Sequence, residues 1–347
     1  MENNIEENEN SNELFEHHKV IVDPKQESLR IDKFLMDRIP NTTRNKLQDA
    51  ARAGYITVNE STVKSNYKVR PNDVISISLP YPIREVELIP EDIPLDIRYE
   101  DDEVIVLHKP SEMVVHPGFG NYTGTLVNAL IYHFKNLPQR DDFNGRPGLV
   151  HRLDKNTTGI MICAKTEHAL TDLSSQFFHR TTERTYNALV WGDFEEDEGT
   201  ITGNVGRSLK NRKVMDVFEP EEELGKHAVT HFKVLKRFGY VTLVECKLET
   251  GRTHQIRVHF KSIGHPLFND IDYGGDKILK GTTFNKYRQF IMNCFKLCNR
   301  QALHAKTLGF KHPKTGEFMR FDSELPDDFK ALLDKWDNYV KNRKKFE

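Results

Sequence analysis

The sequence predicts an α+β protein with a large mixed, mainly antiparallel sheet, preceded by a smaller module of helices and strands. Three observations carry that prediction. From Val104 to Phe321, short β-rich runs with turn signals recur with only a few helical stretches between them. Ser28 to Leu79 forms a self-contained block in which helical spacing gives way to alternation. Between the two, residues 83–103 hold nine Asp or Glu against Arg84 and Arg98 and contain prolines, the composition of a boundary. The 347 residues suit two domains at ~150 residues each. The expected division is an acidic, disordered tail over 1–27, a small domain over 28–82, a linker over 83–100 and a large domain over 101–347.

The tail is expected to be solvated because residues 1–16 contain six Glu and five Asn and no Lys or Arg. Taking those six charges from the net charge of −2 leaves the remainder at +4, so charge is segregated along the chain. In the small domain, Ile31, Phe34, Leu35 and Ile39 recur at helical spacing up to Pro40. Thr42 or Thr43 can cap a second helix that buries Leu47, Ala50 and Ala51 and ends at Gly54. Strands follow at Ile56–Val58 and Ile75–Leu79, set off by the turn signals Asn59-Glu60-Ser61 and Pro71-Asn72-Asp73. Ser28 to Pro82 carries nine basic and five acidic residues, and Arg44, Lys46 and Arg52 lie on the second helix.

In the large domain the expected strands are Val104–Leu107, Gly159–Ala164, Thr185–Trp191, His231–Lys236, Val241–Leu248, His254–Phe260, Leu303–Phe310 and Phe318–Phe321. A last helix places Phe329, Leu332, Leu333, Trp336 and Val340 on one face and ends in basic residues that suit a helix C-terminus. No apolar run approaches the ~18–20 residues that cross a bilayer, and the Glu- and Asn-rich start is unlike a secretory signal. A cytoplasmic protein is expected. Cys163, Cys246, Cys294 and Cys298 are read as structural free thiols.

Two constellations carry chemistry. His151-Arg152-Leu153-Asp154-Lys155-Asn156-Thr157-Thr158-Gly159 sets a carboxylate between two cations in a turn before a strand. It resembles the kinase loop HRDxxxxN only superficially, since Leu153 separates Arg152 from Asp154 and no DFG or glycine-rich phosphate loop accompanies it. In Thr250-Gly251-Arg252-Thr253-His254-Gln255-Ile256-Arg257-Val258-His259-Phe260, a period of two places Gln255, Arg257 and His259 on one face of the expected strand and His254, Ile256, Val258 and Phe260 on the other. The same spacing sends His254 and His259 to opposite faces, which disfavours a zinc site.

RIDKFL, TTRNKLQ, AGYITVN and VRPNDVISI resemble, in that order, the S4 RNA-binding domain. HRLDKNTTG, ERTYNALVWG and TGRTHQIRVH resemble the three motifs of the RluA family of ribosomal large-subunit pseudouridine synthases, and most closely its RluD subgroup. KPSEMVVHPG, GTLVNAL, QALHAKTLGF and HPKTGEF add to the match, which spans about Ser28 to Phe321. Thr158 stands where that family more often has Ser.

The resemblance implies a pseudouridine synthase catalytic domain that isomerises specific uridines in RNA, most closely in large-subunit ribosomal RNA, by breaking the bond from ribose C1′ to N1 and rejoining through C5. It makes Asp154 the reacting carboxylate, Arg257 its cationic partner and Tyr186 the tyrosine that packs on the base. Arg152 would fill the gap left by the flipped base, a step that costs a few kcal/mol. Ile256 would wall the pocket, with His151, Thr157 and Lys109 as further substrate-site residues. Arg44, Lys46 and Arg52 would contact RNA phosphates. Whether the carboxylate attacks the sugar, attacks the ring or removes a sugar proton stays open. No metal and no cofactor are expected, because the reaction is an internal rearrangement; the partner is RNA, with no membrane, and the chain is expected to act as a monomer. Two other readings are weighed against this one. A non-catalytic RNA-binding protein would have little reason to keep Asp154, Tyr186 and Arg257 together, and a glycoside hydrolase would need a second carboxylate, for which Glu245 and Glu249 are the candidates.

Overall fold

The computed structural model describes residues 14–39, 42–80, 88–118, 120–134, 137–138, 147–211, 213–222 and 224–343. The chain divides into two compact units, one containing described residues 14–80 and the other those from 88 onward.

The smaller unit consists of β1 (Phe15–Ile21), α1 (Ile31–Met36), α2 (Arg44–Arg52), β2 (Ile56–Val58), β3 (Ser61–Thr62) and β4 (Val74–Leu79), with the sheet order β1-β4-β2-β3. The helical period at Ile31, Phe34 and Leu35 points all three into one core with Leu47, Ile56, Val58, Ile75 and Ile77. Thr43 caps α2, its hydroxyl accepting from the Lys46 amide. Asn59 and Glu60 both take positive φ, the geometry of a tight two-residue hairpin.

The sequence places 1–27 in a disordered tail, and β1 corrects this for its described part. β1 pairs antiparallel with β4 from Phe15 against Leu79 to Ile21 against Val74. It is an edge strand whose exposed positions include Glu16, His18 and Lys19, so composition masks its alternation. Residues 1–13 lie outside the described residues.

The larger unit contains β5 (Asp96–Glu100), β6 (Val104–Lys109), α3 (Leu126–His133), β7 (Thr158–Ala164), α4 (Glu167–Phe178), β8 (Glu183–Trp191), β9 (Glu198–Arg207), β10 (Met215–Phe218), β11 (Lys226–Arg237), β12 (Val241–Leu248), α5 (Gln255–Ser262), α6 (Asn285–Leu297), β13 (Leu303–Lys311), β14 (Phe318–Asp322) and α7 (Asp327–Arg343). Among the described residues, ten strands form one sheet in the order β10-β9-β11-β12-β8-β13-β7-β6-β5, with β14 paired to β13. Every pairing is antiparallel except β7 with β13, where Thr158 and Gly159 lie opposite His304 and Ala305. This is the large mixed, mainly antiparallel sheet of an α+β protein. At that parallel junction Gly159 has φ +125°, and a Cβ there would sit 2.2 Å from the Ala305 carbonyl oxygen, so only glycine lets the strand begin this close to β13. Phe329, Leu332 and Trp336 of α7 are wholly buried, as their spacing predicts.

Three features differ from the sequence reading. β5 lies inside 83–100, read as a linker, because the acidic residues of that stretch alternate outward from a sheet edge. β9 and β10 were not foreseen; β9 is EGTITGNVGR, whose three glycines lower its strand signal. Residues 254–260 do not form a strand: His254 is the N-cap of α5. Gln255 to Phe260 are buried on every side, so alternation of polar and apolar residues marks no solvent face. Ile256 and Phe260, one helical turn apart, reach one core cluster, and Val258 enters another with Met215 and Tyr273.

Candidate active site

A cleft of about 460 Å³ opens where the loop before β7, strand β8, the end of β12 and the start of α5 converge. Asp154, Tyr186, Arg257, Arg152, Ile256, His151 and Thr157 all line it, so the structure brings together every predicted substrate-site residue except Lys109.

The Asp154 loop is tethered from several sides. Leu153 is buried in the core, and the Thr157 amide closes a turn on the Asp154 carbonyl at 3.0 Å. Arg300 donates to the Asn156 carbonyl at 3.1 Å, and Gln301 Nε2 donates to Thr157 Oγ1 at 3.3 Å. The His151 ring stacks on Phe177 and its Nε2 accepts from the Ile162 amide at 3.1 Å, which ties the loop to β7 and fixes a neutral tautomer. Loss of solvent, with the nearby Arg184 charge, pushes this imidazole down to about 3. Lys109 does not line the cleft, which corrects its reading as a substrate-site residue. It is fully buried, and its ammonium donates to the carbonyls of Pro110, Met113 and Lys155, so it braces the loop from below. Burial pushes it down to about 7 against the opposing pull of the Asp154 charge.

Arg257 enters from the first turn of a buried helix rather than from a strand's polar face. Its Nε and Nη2 grip Asp270 at 2.7 Å each, Nη2 also donates to Asp272 at 2.5 Å, and Nη1 stands 3.5 Å from Asp154 Oδ2. Its planar fork is therefore committed to Asp270, and Asp154 receives the remaining edge. Burial opposes the charge, but the Asp270 hydrogen bonds and charge, with Asp154 and Asp272, hold the guanidinium above its usual range. The Asp154 carboxyl is one-fifth exposed, facing the cleft.

Tyr186 is buried on β8, and burial raises its phenol, with Arg184 opposing and Asp154 adding. His254 takes the left-handed conformation, φ 54°, uncommon for a residue other than glycine. Its Nδ1 lies 2.9 Å from the Tyr273 hydroxyl and its Nε2 3.9 Å from Asp154 Oδ1. Burial lowers its pKa, with the Asp154 charge opposing. Among the described residues no group of three or more His, Cys, Asp or Glu is placed to hold a metal ion.

Several structural partners escaped the sequence reading. Asp270 and Asp272 stand in FNDIDYGG, where two carboxylates beside glycines gave no chemical signal. Gln255 was noted only as part of a polar face. Its Oε1 accepts from Thr250 Oγ1 and the Arg252 amide, and its Nε2 donates to the Val229 carbonyl and to Thr230 Oγ1, locking the loop that launches α5. Glu249 lines the cleft but turns to His231 at 2.7 Å, and Glu245 does not line it. In the smaller unit, Arg44 donates to buried Asp32 at 3.0 Å and Arg52 to Asp49 at 2.5 Å. Exposed Lys46 is the one of the three predicted RNA contacts without a carboxylate partner among the described residues.

Residues 103–262 match the RNA pseudouridylate synthase family, and residues 29–75 match the S4 domain. An RNA pseudouridine synthase of Chlorobaculum parvum is 47% identical across 90% of this chain and 96% of its own length. Ribosomal large subunit pseudouridine synthase D of Zymomonas mobilis is 38% identical across 88% of this chain and 92% of its own. Among solved structures, human RNA pseudouridylate synthase domain containing 1 superposes with a TM-score of 0.51 at 25% identity, covering 72% of this chain and 95% of that one.

Proposed function

This chain belongs to the RNA pseudouridine synthase family and carries an S4 domain, and from that premise we propose that it converts specific uridines of large-subunit ribosomal RNA to pseudouridine with Asp154 as the reacting carboxylate. The enzyme class, an RNA-binding isomerase, comes with the family. The choice of substrate rests on relatives named for the ribosomal large subunit, 38% and 40% identical to this chain.

One observation supports the assignment of Asp154 above all: its carboxylate faces a cleft and has a buried guanidinium beside it. An ionised carboxylate in a water-poor site needs such a partner. In the proposed reaction the C1′–N1 bond breaks, the freed uracil turns, C5 bonds to C1′, the hydrogen on C5 leaves as a proton to solvent, and N1 takes up a proton in its place. Nothing is gained or lost overall. Asp154 supplies the carboxylate for the first step by attack on the sugar, attack on the ring or removal of a sugar proton. Tyr186 and Ile256 pack the base, and Arg152, exposed at the cleft's edge, fills the stack from which the uridine flips. Arg44, Lys46 and Arg52 hold RNA phosphates, with Lys46 the most available. The protein acts as a monomer in the cytoplasm, where that RNA is found.

Mapping pseudouridines in ribosomal RNA from cells with and without the gene tests the substrate. Loss of one or more large-subunit sites is expected; an unchanged ribosomal map with sites lost from transfer RNA would overturn the ribosomal reading.

A further inference from the structure

The buried arginines of this protein differ in one respect. Arg257 and Arg300, whose side chains are 5% and 4% exposed, each grip a carboxylate with two nitrogens. Arg184 is 8% exposed and has no ion pair among the described residues, and its Nε is buried without a hydrogen-bond partner. Its guanidinium lies 5.3 Å over the Phe177 ring and lines the cleft. A buried charge is normally paired, so the missing partner is to be sought among what enters the cleft.

Two more arginines converge on the same place. Arg180 follows α4 in the left-handed conformation, φ 61°, and its side chain is exposed at the cleft. Arg252 is fixed by its backbone N–H donating to Gln255 Oε1 at 3.0 Å and by Nε donating to the His227 carbonyl at 3.2 Å, which leaves its outer nitrogens free of those bonds. Gly251 keeps room for the group: a Cβ there would stand 3.1 Å from Arg184 Nη1. Burial, and after it the charge of Arg180, lowers the Arg252 pKa, as expected for cations facing one another. Neither Arg180 nor Arg252 has an ion pair among the described residues, and Glu249 at the same cleft is held by His231.

We propose that Arg180, Arg184 and Arg252 form a subsite for one phosphodiester of the RNA chain, beside the nucleotide presented to Asp154. Like charges brought together without a counter-ion repel, and an anion with several acceptor oxygens relieves that cost while matching the planar guanidinium forks. Arg184 and Tyr186 are two residues apart on β8, so they share one face of the strand. A phosphate held at Arg184 and a base packed on Tyr186 then belong to neighbouring parts of one strand. The subsite fixes where the flipped nucleotide hangs relative to the carboxylate.

This inference rests on the RNA-modifying reading, and its test separates the two. Binding to a full-length large-subunit ribosomal RNA transcript is measured against salt concentration for wild type, for Arg180→Gln, Arg184→Gln and Arg252→Gln singly, and for the triple variant. Each single variant is expected to bind more weakly. The triple variant is expected to lower the log–log salt slope by about 0.7, the value for one phosphate on a single strand. An unchanged slope would make the cluster merely structural, and a fall of about 2, as three separate phosphates would give, would overturn a shared subsite. Should the triple variant fail to fold, the Arg180→Gln, Arg252→Gln pair leaves the packed Arg184 in place: weaker binding with a slope fall of no more than about 0.7 is expected, while unchanged affinity, or a fall of about 1.4 as two separate phosphates would give, would overturn the shared subsite. Because this is an equilibrium measurement, a protein that binds in this way yet never isomerises uridine would fail the catalytic reading and leave the subsite standing.

Discussion

Arg257 clasps Asp270 with Nε and Nη2, both at 2.7 Å, and stands 3.5 Å from Asp154 with Nη1. Asp270 is fully buried and Asp154 faces the cleft. One carboxylate therefore orients the arginine while the other uses its charge, and the fork geometry serves the anchoring rather than the reacting group.

Arg257→Lys is expected to fail twice. A lysine cannot grip Asp270 with two nitrogens and also reach Asp154, so turnover should fall by about 100-fold or more, and because the charge is kept while the grip is lost, stability should fall by less than the about 3–5 kcal/mol that removing one partner of a buried pair costs. Denaturant titration beside a turnover assay checks both. Near-normal rate and stability would mean that Asp270 finds another cation.

Asp154→Asn removes the proposed reacting carboxylate without touching the phosphate contacts, so turnover should drop below about 1% while RNA affinity stays within about threefold. Asp270→Asn, by contrast, should lower stability as well as rate, because the buried arginine loses its counter-charge. Equal and purely kinetic effects in the two variants would contradict the division of roles drawn above.

The site was more legible than the element that carries it. HRLD, RTY and HQIR named Asp154, Tyr186 and Arg257, and all three line one cleft. The expected strand at 254–260 is a helix because a segment buried all round gives periodicity nothing to report. Asp270 and Asp272 lay outside every motif, since what selects them is a guanidinium brought from α5 by tertiary packing. β1 was hidden by polar outward residues at a sheet edge, and β9 by its glycines. In the smaller unit, helix period and turn residues located both helices and the strands Ile56–Val58 and Val74–Leu79, yet composition could not show that Arg44 is tied to Asp32.

Asp32 gives a pH dependence of stability. The Arg30 hydrogen bond, opposed by burial and joined by Gln48 and Arg44, holds this carboxyl below the usual carboxylate range. A folded-state pKa below the unfolded value of ~3.9 contributes stability that is fully present above that pH and is lost as pH falls through the folded value. Asp32→Asn should therefore flatten the acid limb of hydrogen-exchange protection in residues 31–77 and cost about 1–3 kcal/mol at neutral pH. The same acid limb in the Asn variant would assign it to other carboxylates.

Lys46 should contribute more to RNA binding than its helix neighbours. Lys46→Gln is expected to lower the log–log salt slope by about 0.7–0.9, whereas Arg52→Gln, with Asp49 freed in exchange, should change it less. A larger effect at Arg52 would show that its pairing with Asp49 yields to phosphate.

The central claim is tested most directly by the fate of the hydrogen on C5. Uridine in a large-subunit ribosomal RNA transcript, or in assembled subunits, is labelled with tritium at C5 and incubated with the full-length protein, with the mass of an unlabelled RNA followed in parallel. Release of tritium to water at constant RNA mass is the predicted result, reduced to background by Asp154→Asn. No release from either substrate, or release accompanied by free base or added mass, would contradict the isomerisation assigned to this cleft.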